Sequence, residues 1–272
     1  MSNAHDAPPS GATTSTPPGT VIYAYGVVDG SASIESPVQG LDGTDVFVVG
    51  EDRLGVLVSE LSVARFGERM WRQHAEDPAW LGTVARAHHA VLSSVAETTD
   101  IVPLRVPAIY GDPGRVRHML ETEAPTLDAA LTRIREKREW GVKIYAAARP
   151  GERHDSPSGS RPTSGRDYLA KRSAQANTRE LSRQLRAETI QVIDERLTKS
   201  AADAVKNAPQ DQAVSGRTEP MLFNAAYLVS RDSTDDFVRL VTELADDLGA
   251  SNGLQVELTG PWPAYNFAAV TW

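Results

Sequence analysis

Apolar side chains first concentrate in Val21-Ile22-Tyr23-Ala24-Tyr25-Gly26-Val27-Val28, a run apolar on both faces that predicts a central strand. Two short β-branched runs, Asp45–Val49 and Leu54–Val58, flank the polar Gly50-Glu51-Asp52-Arg53 and predict a hairpin. From Pro78 the period lengthens. Leu81, Val84, His88, Val91 or Leu92, and Val95 recur every three or four residues, the spacing of an amphipathic helix. Ile101–Pro107 is extended, but Pro103 and Pro107 each remove a ladder donor, which suits an edge or a bulge. Asp112-Pro113 has the cap-then-proline order of a helix start. Pro125 is expected to break that helix, with Leu127, Leu131 and Ile134 resuming it. Gly141-Val142-Lys143-Ile144-Tyr145 is expected to close the first domain as a strand.

Residues 147–176 mix Pro150, Pro157, Pro162, Gly151, Gly159 and Gly165 with serines and charges, the composition of a flexible linker. A long helix follows from about Asn177 to Lys206, with Leu181, Leu185, Val192 or Ile193, and Leu197 assigned to one buried face. Leu222–Val229 reads as a strand. Ser233, with Asp236 three residues on, is a weak capping-box start for a helix whose buried stripe is Phe237, Leu240, Val241, Leu244 and Leu248. Gly249 stands where a left-handed C-cap is expected, and Leu254, Val256 and Leu258 alternate in a final strand.

This order of elements predicts an α+β protein of two domains with antiparallel or mixed sheets covered on one face; the ferredoxin-like plan is the nearest common arrangement. The expected division is a disordered tail at 1–19, an N-terminal ferredoxin-like domain at 20–146, a linker at 147–176 and a C-terminal α+β domain at 177–272. The tail holds almost no large apolar side chain, so nothing there offsets the entropy of ordering it.

Charge and composition narrow the function classes. The 272 residues carry a net charge of -8, which argues against general nucleic-acid binding. Between Arg149 and Arg186, nine Lys and Arg stand against four Asp and Glu, a basic strip suited either to solvent or to an acidic partner surface. The absence of cysteine removes disulfides, thiolate metal sites and cysteine nucleophiles. No apolar run is long enough to cross a bilayer and no secretory signal is evident, so a soluble intracellular protein is expected, without a membrane partner. No nucleophile elbow, P-loop or dinucleotide fingerprint occurs. His88 and His89 project about 100° apart on a helix and do not form an i, i+4 metal pair. His88 falls on the apolar stripe and reads as a neutral core histidine bonded to a backbone carbonyl; His89 reads as exposed. Arg105, on its extended edge, suits either an internal carboxylate or a partner.

Two strings are unusual: Glu139-Trp140-Gly141-Val142-Lys143 and Thr259-Gly260-Pro261-Trp262-Pro263-Ala264-Tyr265-Asn266-Phe267. Together with Ile22–Val28, the helix carrying His88 and Val91, Pro103-Leu104-Arg105 and Asn224–Val229, they resemble signature segments of the gas vesicle protein F/L family. Where that family continues the proline–arginine strand with an aromatic and a glycine, Val106-Pro107-Ala108 stands here.

The resemblance implies a two-domain α+β protein with a modified ferredoxin-like N-terminal domain. It also implies a cytoplasmic or gas vesicle-associated accessory or structural protein, not an enzyme and without a cofactor. Its partners would be the major hydrophobic shell protein and other gas vesicle accessory proteins. The residues carried over, in a structural or partner-contact role, are Arg105, Trp140, Gly141, Lys143, Gly260, Pro261, Trp262, Pro263, Tyr265 and Phe267. The aromatics Trp262, Tyr265 and Phe267 suit either a contact surface or the core of their own domain, and Trp140 suits the core. A ferredoxin-like small-ligand-binding regulatory module is the alternative.

Overall fold

The structure is a computed structural model that describes residues 19–34, 37–51, 53–147, 165–212 and 216–268. The tail expected at 1–18 and most of the expected linker, 148–164, lie outside the described residues. What is described falls into two compact units, 19–133 and 134–268, each built on its own antiparallel sheet.

In the first unit β1 (Thr20–Asp29) is the central strand that its apolar run predicts, and its Ile22–Tyr25, Val27 and Val28 are fully buried. β2 (Phe47–Glu51) and β3 (Leu54–Ser62) form the expected hairpin, pairing Glu51 with Leu54. β3 lies against one side of β1. The other side is taken by β4 (Ile101–Pro103) and β5 (Ile109–Tyr110), two pieces of one extended stretch interrupted at the prolines. The main chain stays tied across the interruption, because Leu104 N–H donates to the Tyr25 carbonyl at 2.9 Å and Ala24 N–H to the Ala108 carbonyl at 2.8 Å.

After the short helices α1 (Val63–Phe66) and α2 (Glu68–His74), α3 (Pro78–Ala96) covers the sheet. Its start is specified locally: Asp77 Oδ1 accepts from Ala79 N–H (2.9 Å) and Trp80 N–H (3.2 Å), with Pro78 in the first turn, where no donor is lost. Val84, His88, Val91, Leu92 and Val95 are buried along it. α4 (Pro113–Ile134) runs through Pro125 without interruption, contrary to the expected break. An internal proline costs about 3 kcal/mol, but Leu120 precedes it and Leu127, Leu131 and Ile134 follow it, all buried, at about 1.5–3 kcal/mol each.

The strand order β2-β3-β1-β4 is that of the ferredoxin-like plan. Among the described residues, the helix that would cross from β1 to β2 is replaced by a loop carrying a 3-10 turn at Leu41–Gly43.

The second unit holds the complete βαββαβ order: β6 (Lys137–Ala146), α5 (Gly165–Ser200), β7 (Asp203–Lys206), β8 (Met221–Ser230), α6 (Thr234–Leu244) and β9 (Leu254–Trp262), with the sheet arranged β7-β8-β6-β9. The stretch expected to close the first domain is therefore an inner strand of the second. Its partners are β8 and β9, and strand periodicity does not say which sheet supplies the neighbours. The first unit ends before Ile134 instead of at 146, and residues 165–176, expected in the linker, are the first turns of α5.

Trp140, Val142 and Ile144 of β6 pack with Ile193 and Leu197 of α5 and Phe237, Val241 and Leu244 of α6. The single buried face expected for α5 is not found: Leu181, Leu185 and Val192 are 57%, 46% and 45% exposed. Ser233 makes no side-chain cap. Gly249 is right-handed, and the chain turns instead at Gly253, with φ of 64°. Asp194, buried on α5, accepts from the Tyr227 hydroxyl at 2.8 Å and pairs with Lys206 Nζ at 2.6 Å, joining the helix to β7 and β8.

Candidate functional site

The two unusual strings, more than a hundred residues apart in sequence, meet along β6 and β9. Alternation puts Trp140 and Val142 on the helix-covered side and leaves Glu139, Gly141 and Lys143 on the opposite face. Pairing is regular from Ala146↔Leu254 to Gly141↔Thr259, and the next pair is Glu139↔Trp262. One residue of β6, Trp140, thus faces two of β9, Gly260 and Pro261. This bulge re-aims the end of β9, and its Gly260–Pro261 peptide bond is cis.

Both glycines are required by geometry. Gly260 has φ of 117°, where a side chain is strained, and an added Cβ would also lie 3.0 Å from the Glu139 carbonyl oxygen. At Gly141 a Cβ would lie 2.6 Å from Thr259 Oγ1. That hydroxyl is held from both sides, donating to the Gly141 carbonyl at 3.3 Å and accepting from Trp262 Nε1 at 3.2 Å.

Beyond the bulge, residues 263–268 fold into a tight turn in which Tyr265 N–H donates to the Pro263 carbonyl and Ala268 N–H to that of Ala264. Glu139 fastens it. Its two carboxylate oxygens accept from Asn266 N–H at 2.7 Å and Asn266 Nδ2 at 2.6 Å. Burial raises the Glu139 pKa, with the two Asn266 bonds opposing that rise. Burial also raises that of the Tyr265 phenol, with the Glu139 charge adding to it.

The structure thus brings together Trp140, Gly141, Gly260, Pro261, Trp262, Pro263, Tyr265 and Phe267. Trp140 (8% exposed) and Phe267 (3%) are interior, Trp262 and Tyr265 are half-buried, and Pro261 is exposed. Lys143, also on β6, points Nζ toward Gln210 Oε1 at 3.4 Å. Arg105 is not part of this corner; it is an exposed residue of the first unit with no ion pair among the described residues. Glu139 and Asn266 lay inside the two strings, but nothing in their spacing shows that they clamp each other.

A second buried polar cluster sits in the first unit. His88 Nδ1 is 2.9 Å from the Tyr23 hydroxyl, so the core histidine has a side-chain partner in addition to the Leu104 backbone. Burial lowers its pKa to about 4, the Leu104 backbone opposing and His89 adding a smaller lowering. His89 is half-buried beside Ser93. Tyr25 Oη accepts from Leu41 N–H and donates to Ser59 Oγ, which donates to the Asp45 carbonyl. Among the described residues no group of His, Cys, Asp and Glu is placed to hold a metal, and no helix is long and apolar enough to cross a membrane.

Residues 21–269 match the family described as "Gas vesicle synthesis protein GvpL/GvpF". The chain belongs to this family. Gas vesicle protein L of a Streptomyces species is 33% identical over 233 residues, covering 85% of this chain and 86% of its own. Gas vesicle protein F2 of Halobacterium salinarum is 24% identical over 253 residues, 92% of each. The crystal structure of gas vesicle protein GvpF from an Anabaena species superposes with a TM-score of 0.66 at 18% identity, covering 93% of this chain and 98% of that one. The corner formed by β6 and β9 accordingly sits inside a GvpL/GvpF chain, and the role of the protein is related to gas vesicles.

Proposed function

We propose that this GvpL/GvpF-family protein binds the hydrophobic gas vesicle shell protein and supports vesicle assembly, acting in the cytoplasm and at the vesicle as a binding protein without catalysis of its own. The observation that carries the reading is the family match along nearly the whole described chain, with relatives named as gas vesicle proteins over 85% and 92% of its length. A shell subunit that turns an apolar face to gas is aggregation-prone until that face is covered. A protein that covers it needs shaped, partly apolar surface. The corner described above supplies some, with Pro261 exposed and Trp262 and Tyr265 half-buried on a scaffold held by the Glu139–Asn266 clamp.

Co-expression of the tagged full-length chain with shell protein kept monomeric tests this. The two should elute together and stay together at moderate salt, since an apolar contact is screened far less than a charged one. A deletion strain should make few or deformed vesicles. Normal vesicles in that strain, together with no association at micromolar concentration, would refute the proposal.

A further inference from the structure

The second unit carries a groove remote in sequence from the family strings. α5 outlasts the sheet it covers. Ile193 and Leu197 are fully buried, but two to three turns earlier the same side of the helix meets the ends of β6 and β8, at Ala146, Pro220 and Leu222, and the turn at Asn252. A cavity of about 410 Å³ lies there, lined on the helix by Arg179, Ser182, Arg183, Arg186, Ala187 and Ile190. At about 100° per residue the three arginines fall within about 40° of Ile190 around the helix, so guanidinium groups and aliphatic carbons share one concave face.

Arg183 is paired with Glu180 at 2.8 Å, and Arg186 Nε donates to the Asn252 carbonyl at 3.4 Å. Among the described residues neither Arg179 nor Arg186 forms an ion pair with a carboxylate. In a chain of net charge -8 this is a local concentration of positive charge over an apolar floor.

We infer that this groove docks a peptide segment of a partner protein, whose carboxylates meet Arg179, Arg183 and Arg186 while an aliphatic side chain fills the floor at Ala187, Ile190 and Leu222. Charge complementarity identifies the partner's chemistry. A guanidinium is a planar fork matched to carboxylates, and arginine is enriched where proteins bind each other. The lining has no aromatic ring on which a nucleobase would stack, and a concave slot fits a chain better than a bilayer surface. The inference goes beyond the shell-protein reading and is independent of it, because the surface and the forces differ.

The test uses the full-length chain and a short fluorescein-labelled peptide alternating glutamate and leucine, followed by fluorescence anisotropy. Saturable binding is expected. The double variant Arg179→Glu/Arg183→Glu should weaken it about tenfold or more, as loss of close charge pairs does. Both positions are exposed, so the fold should survive, which a melting curve checks. Leu222→Asp should weaken binding as well, whereas Leu181→Ser, on the outward side of α5, should leave it unchanged. A glutamate–serine peptide should bind about tenfold more weakly because it lacks the aliphatic contact. Absence of saturable binding, equal affinity for the serine peptide, or an unchanged double variant would each overturn the inference. So would phosphatidylserine vesicles displacing the peptide at matched charge, since the site would then be a membrane surface. Loss of shell-protein association with peptide binding intact would count against the proposed function alone.

Discussion

His88 makes the stability of the first unit depend on pH with a sign and size that the geometry supplies. Its ring is 3% exposed between α3 and β1, against Tyr23 and Tyr25, and its pKa falls from 6.5 to about 4, chiefly through burial. The unfolded chain takes up a proton near pH 6.5 and the folded chain only near 4. Between these values the unfolded state binds more protons, so stability that is fully present above 6.5 is lost as pH falls through about 4. A shift of about two and a half pH units at about 1.4 kcal/mol each gives a loss of about 3 kcal/mol. The perturbation that isolates it is His88→Gln, which does not titrate yet can accept from the Tyr23 hydroxyl. At pH 7 the variant should be about 1 kcal/mol less stable through imperfect packing. At pH 4 it should match or exceed the wild type, so the two stability curves cross. Urea titrations at each pH, read from amide cross-peaks of α3 and β1, follow this unit by itself. Carboxylates titrate in both proteins and cancel in the difference. Parallel curves from pH 7 to 4 would refute the assignment of a depressed His88.

The corner of the second unit offers three further checks. Trp140→Ala should cost about 3–5 kcal/mol in urea unfolding of the second unit; Trp140→Phe should cost far less, because the buried indole Nε1 has no hydrogen-bond partner among the described residues and its removal relieves an unpaired donor. Gly141→Ala should destabilise by about 1–3 kcal/mol through the 2.6 Å approach to Thr259 Oγ1, the usual cost of overpacking, and adding Thr259→Ala should recover much of it. Glu139→Gln replaces one acceptor oxygen by an NH2 group facing the Asn266 donors. It should cost about 1.5–3 kcal/mol, the worth of a charge-assisted bond, and hydrogen exchange should show lost protection at Asn266; unchanged protection there would refute the clamp.

Local pattern carried most of the elements. β1, the β2–β3 hairpin, α3 with its Asp77-Pro78 start, and α6 with its buried Phe237, Val241 and Leu244 follow from periodicity and capping that need no knowledge of the rest of the chain. What failed was of a different kind. Assigning β6 to the first domain was an error of partnership, since a strand's alternation is the same in either sheet. The intact helix through Pro125 shows tertiary burial outweighing a local breaker. On α5, apolar residues occupy two sides of one helix, so a single stripe drawn through Leu181, Leu185 and Leu197 joined outward residues to an inward one. The Glu139–Asn266 clamp spans 127 residues, and no short-range signal reports a contact at that distance.

The replacement of a crossover helix in the first unit shows how these layers fit together. Both sheets have the same strand order, yet among the described residues only the second has an α-helix between its first two strands. In the first, the turn at Leu41 lies beside α3 and must satisfy backbone groups that a helix would satisfy internally. Tyr25 does this. Its hydroxyl accepts from Leu41 N–H at 2.8 Å and passes a hydrogen bond to Ser59, which is itself bonded to the Asp45 carbonyl. The chain of bonds binds β1, β3 and the loop from either side of the turn. Burial holds the Tyr25 phenol above its ordinary pKa, so it stays protonated and able to donate across physiological pH. Gly40 completes the fit, because a Cβ there would lie 2.2 Å from that same hydroxyl. Tyr25, one of two tyrosines in this apolar strand, is thus the anchor by which a short loop stands in for a helix, and the same ring, tilted against His88, forms part of the apolar shell that keeps the imidazole neutral.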